Sequence, residues 1–110
     1  MEVKKHMPRV IHFEIAADIP ERAVKFYQKA FGWKIEKWAG PVDYWLVATG
    51  EDKEVGINGA ITEKSDCVTA TTNTIGVISL EDTVKKIMEA GGKQLMPNAR
   101  NWLHDLLQGY

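Results

Sequence analysis

Residues Val10–Ile35 read VIHFEIAADIPERAVKFYQKAFGWKI, and this stretch decides the fold. Its first part alternates. Ile11, Phe13 and Ile15 point to one side of a strand, and Val10, His12 and Glu14 to the other. Three bulky apolar groups need a cover, and the cover follows at once. Asp18 with Glu21 three residues on reads as a capping box, and Pro20 falls in the first helical turn. Ala23, Phe26, Tyr27, Ala30 and Phe31 recur at three- and four-residue spacing and form one apolar helical face. Gly32 is the expected helix stop, and Trp33 to Trp38 alternates again as a strand. The unit is strand, helix, strand. A histidine and a glutamate are left on the strand face that the helix does not cover.

Around this unit, the 110 residues suit a single domain, 1–110. The 14 basic and 15 acidic residues nearly cancel, which gives no footing for nucleic acid or an anionic membrane. Cys67 is the single cysteine, so no internal disulfide forms, in keeping with a reducing compartment. No apolar run approaches the roughly 20 residues of a membrane helix, and MEVKKHMPRV has no apolar segment after its charges. A cytoplasmic protein is expected.

Downstream, Gly40-Pro41 marks a turn, and Asp43 to Thr49 reads as a strand with Tyr44, Leu46 and Ala48 on one side. Gly50 to Glu54 is a hairpin turn. Val55 to Thr62 is the next strand, with Asn58 and Ala60 facing away from Ile57 and Ile61. Gly56 and Gly59 inside it suggest a bulge or a close approach. Glu63 to Asn73 reads as a linker. The opening pattern then returns: a strand over Thr74 to Leu80, Ser79 and Asp82 as a cap, a stripe of Val84, Ile87 and Met88, a Gly91-Gly92 stop, and a strand from Lys93 to Met96. The recurrence after roughly sixty residues reads as a duplicated module.

HFEIAADIPERAVKFYQKAFGWKI, DYWLVATG, GINGAI and TIGVISLEDTVKKIMEAGGK together resemble the glyoxalase/bleomycin-resistance/dioxygenase group, the vicinal oxygen chelate superfamily. The resemblance runs from about Arg9 to Pro97 and implies an α+β fold. Two βαβββ modules would pair into a cupped mixed sheet with helices outside, the first at 9–62 and a partial second at 74–97. It implies a scaffold of metal-dependent lyases, isomerases and dioxygenases that act on small carbonyl or hydroxylated metabolites. Metal-free, antibiotic-sequestering binding proteins share the same plan.

The resemblance puts His12 at a metal position, with zinc, nickel or iron as the ion. Asn58 and Thr74 stand where stronger donors are usual, and the last ligand has no counterpart. An amide oxygen and a hydroxyl hold such ions poorly, so the ligand set is incomplete. His12 is then either a ligand or a hydrogen-bonded cup residue. Glu14 is either the catalytic base or a solvated or paired carboxylate. The ligand cup comprises His12, Tyr44, Leu46, Asn58 and Thr74. Cys67, without a basic neighbour, is not a catalytic thiol. Residues 98–110 depart from the family plan and read as an amphipathic helix with Trp102, Leu103, Leu106 and Leu107 apolar. Codons that encode Ala99 to Tyr110 can, one nucleotide later, spell Pro-Gly-Ile-Gly-Ser-Met-Thr-Cys-Phe-Lys-Asp-Thr, which is similar to the family's seventh strand. Residues 98–110 are then either natural or the product of a frameshift, and the missing last strands imply an unpaired sheet edge and a homodimer.

Overall fold

A computed structural model describes residues 7–66 and 69–94. Cys67, half of the strand expected over Lys93 to Met96, and the tail helix lie outside the described residues. The chain divides into two compact units, Met1–Val77 and Ile78–Tyr110. The fold is α+β. In the first unit the order is β1 (Arg9–Ala17), α1 (Pro20–Phe31), β2 (Lys34–Lys37), β3 (Tyr44–Ala48), β4 (Gly59–Glu63) and β5 (Thr72–Gly76); α2 (Leu80–Glu89) belongs to the second. The strands form one five-stranded mixed sheet in the order β2-β3-β4-β1-β5. β1 runs parallel to β4 and antiparallel to β5.

Registered residues share a sheet face. Ile15 opposes Ile61, which opposes Trp45, and Phe13 opposes Gly59, which opposes Val47. This is the face under α1. Phe13 meets Trp33 at 6.2 Å between ring centres, and Trp33 stacks on Tyr27 of the helix at 5.0 Å and 5°. A β-carbon on Gly59 would lie 2.6 Å from the Phe13 ring, so the two parallel strands close only over a glycine. Val47 and Ile61 are fully buried here.

Several sequence expectations shift. Helix α1 begins at Pro20, so its N-cap is Ile19, and no side chain caps it. Proline's fixed φ suits the first helical position, which leaves Asp18 one residue too early to cap. Asp18 instead lies 3.4 Å from Lys64 Nζ. Gly32 ends the helix at φ 72, as its place suggests. In β1 the register slips between Val10 and His12, so Val10 opposes Ile75. The strict alternation expected at Val10 is broken by that bulge. β4 starts at Gly59 and not Val55, because the preceding segment is held by side chains: Asn58 Oδ1 accepts from Thr49 N at 3.0 Å, and Thr49 Oγ1 donates to Ile57 O at 2.7 Å. β5 starts at Thr72, inside the expected linker, and stops at Gly76. Its ladder is set by β1, with Thr72 opposite Glu14 and Thr74 opposite His12.

In the second unit Ser79 caps α2, its Oγ accepting from Asp82 N at 3.2 Å. The helix closes as Gly92 N donates to Ile87 O at 2.8 Å. None of the helices among the described residues is long and apolar enough to cross a membrane.

Candidate functional site

The sheet face away from α1 carries His12 and Glu14 on β1, Ala60 and Thr62 on β4, Tyr44 and Leu46 on β3, and Thr72 and Thr74 on β5. Tyr44 lies two strands from β1, roughly 10 Å away at ordinary strand spacing. Its side chain spans that gap. On β4 between them, Thr62 is in register with Tyr44, and Ala60, itself fully buried, is in register with Glu14. Tyr44 is oriented from behind by Trp38, which meets it edge to face at 6.0 Å and whose N–H donates to Tyr44 O at 2.7 Å. The Trp38 indole in turn folds over Gly40, where a β-carbon would sit 2.1 Å from the ring.

Tyr44 Oη donates to Glu14 Oε2 at 2.5 Å. That length is typical of a hydroxyl on a carboxylate. The phenol has one proton, and the glutamate takes it. His12 Nε2, 3.0 Å from Tyr44 Oη, must therefore be the donor in their contact. The imidazole is held in its Nε2–H form by this assignment. His12 and Tyr44 are 1% and 2% exposed, whereas Glu14 is half-buried. The glutamate is thus the member of the three that meets solvent.

Burial lowers the His12 pKa from its ordinary 6.5. The unfolded chain then binds a proton at a pH where the folded one resists it. The unfolded state holds more protons, so stability rises with pH across that window and falls as pH drops below 6.5. The midpoint of urea unfolding is expected to fall between about pH 7 and about pH 5, and His12→Gln to flatten that slope. An unchanged slope in His12→Gln would assign the dependence to other groups.

The predicted cup residues are brought together in part. His12, Glu14 and Tyr44 touch. Leu46 and Thr74 share their face, Leu46 opposite Ala60 and Thr74 opposite His12. Asn58 precedes β4, and its amide oxygen is spent on Thr49 N. The residues that the resemblance assigns to a metal do not fit an ion. His12 Nε2 faces the tyrosine, Asn58 Oδ1 faces a backbone N–H, and Thr74 offers only a hydroxyl. Among the described residues no three of His, Cys, Asp and Glu gather closely enough to hold a metal. Sequence reasoning named all three members of the bridge without their connection. The available signal was His12 and Glu14 two apart on one strand face, with Tyr44 opening the next central strand.

No family model matches the chain, and a search among curated proteins finds no match.

Proposed function

We propose that this is a glyoxalase-like protein that takes a small carbonyl or hydroxylated metabolite on the His12 face, without a complete metal site, and uses Glu14 as its proton acceptor. The observation that carries the reading is the bridge from His12 through Tyr44 to Glu14, in which one carboxylate oxygen is fixed and the residue keeps access to solvent. The sheet order supports the scaffold: β1, α1, β2, β3 and β4 make a βαβββ set, and β5 joins at β1 as the first strand of a second module would.

In a hydroxycarbonyl ligand, Glu14 would take the proton from the carbon that bears the hydroxyl. The electron pair moves into the C–C bond and the carbonyl oxygen gains a proton, giving an enediol. Return of the carbon proton from Glu14 to the neighbouring carbon, with loss of the original hydroxyl's proton to water as that oxygen becomes the new carbonyl, completes an isomerisation with no oxidant or reductant. A positioned base of this kind contributes about 10²–10⁴-fold.

The test is solvent-deuterium exchange at the hydroxyl-bearing carbon of dihydroxyacetone and lactaldehyde, followed by proton NMR in the presence of a chelator. Exchange that Glu14→Gln slows by about 10²-fold or more is expected. Exchange that stops with chelator and returns with zinc would move the chemistry to a metal.

Burial of both His12 and Tyr44 favours a second reading, in which the bridge only stiffens a binding face. Saturable ligand binding with no exchange would select it. The homodimer belongs to the same proposal, since β5 is one of the two outer strands among the described residues. A monomer mass in sedimentation velocity would remove it.

A further inference from the structure

A groove of about 450 Å³ opens between the end of β1 and the first turns of α1, on the helix side of the sheet. Its volume lies in the range of small-molecule sites. Ile15, Ile19, Phe26 and Tyr27 give it apolar walls, and Ala23 leaves the space between them unfilled. The walls are held in place from outside the groove. Phe26 meets Tyr27 edge to face at 5.0 Å, and Tyr27 stacks on Trp33. Phe26 and Ile19 remain 59% and 50% exposed, so neither is buried by the described residues.

Charge selects the occupant. Arg22 and Lys64 line the groove beside Asp18. Lys64 is fixed by its backbone N–H, which donates to Ala17 O at 2.9 Å, and its Nζ pairs with Asp18. Arg22 has no acidic partner among the described residues. One guanidinium is therefore left over a hydrophobic trough, and the charged lining sums to a single positive charge. A guanidinium fork matches a carboxylate in shape as well as in charge.

We propose that this groove binds a small amphipathic carboxylate, an alkyl or aryl acid whose apolar body lies against Phe26 and Ile15 and whose carboxylate meets Arg22. A monoanion balances the lining, whereas a phosphate dianion overfills it. The site is separate from the Glu14 face, so either assignment can fail without the other.

The experiment is calorimetric titration of the full chain with decanoate, decanol, decyltrimethylammonium and decyl phosphate, each below its aggregation concentration. Decanoate is expected to bind one to one and at least about tenfold more tightly than decanol, with no binding of the ammonium compound. Arg22→Gln should remove the preference for decanoate over decanol. Ala23→Leu should weaken both by filling the trough, and circular dichroism should report a wild-type fold for each variant. Equal affinity for decanoate and decanol, tighter binding of decyl phosphate, or wild-type decanoate affinity in both variants would overturn the proposal.

Discussion

Tyr44→Phe is expected to lower the unfolding free energy by about 1–3 kcal/mol, although it removes a single oxygen. The ring stays against Trp38, so little packing is lost. What disappears is the acceptor that His12 Nε2–H uses and the donor that Glu14 Oε2 uses. Losing a partner costs more than a hydrogen bond contributes on average, because the remaining polar group stays out of water. The imidazole is that group here, since His12 is buried and Glu14 keeps its access to solvent. Urea unfolding at neutral pH gives the number. Glu14→Gln is the control, since an amide oxygen still accepts from the phenol, and its cost should be well below that of Tyr44→Phe. If Tyr44→Phe falls within about 0.5 kcal/mol of wild type, as ordinary surface changes do, the bridge is not what holds β3 to β1.

The second large effect is expected at Gly59. Gly59→Ala puts a methyl 2.6 Å from the Phe13 ring, where neither can stay. The ring is itself packed against Trp33, which limits where it can move. Overpacking of this kind costs about 1–3 kcal/mol. The signature that separates it from a loss of strand propensity is its coupling. Phe13→Leu shortens the side chain that the new methyl meets, so Gly59→Ala should cost less in that background than alone. Additive costs would mean that the crowding is relieved elsewhere in the sheet.

These two sites mark how far the sequence was legible. The strand–helix–strand opening was readable because its periods change from two to three-or-four and because Pro20 and Gly32 bracket the helix in the positions their backbones favour. The helix-side face of β1 followed from Phe13 and Ile15 alone. The edges of β4 and β5 were not readable in the same way. Thr49 and Asn58 trade hydrogen bonds across the hairpin, which takes residues 55–58 out of the ladder, and nothing in their spacing announces that exchange. The first two residues of β5, Thr72 and Asn73, read as linker because they carry no apolar weight, and the strand expected over Thr74 to Leu80 stops at Gly76; its position is imposed by β1 through pairing with Glu14 and His12. Within the site, residue types and faces could be foreseen. That Tyr44 reaches across β4 could not, since its side chain passes its own register partner, Thr62, to meet Glu14 and His12 one strand further on.

The central place of β1 has a consequence for biosynthesis. It leaves the ribosome before the other described strands, yet both its neighbours, β4 and β5, come at least some forty residues later. Until Gly59–Glu63 and Thr72–Gly76 emerge, its backbone has no ladder and Phe13 has only the α1 aromatics for shelter. The nascent chain therefore carries an open, apolar strand until then, and the step that protects it is the docking of a parallel partner over a glycine.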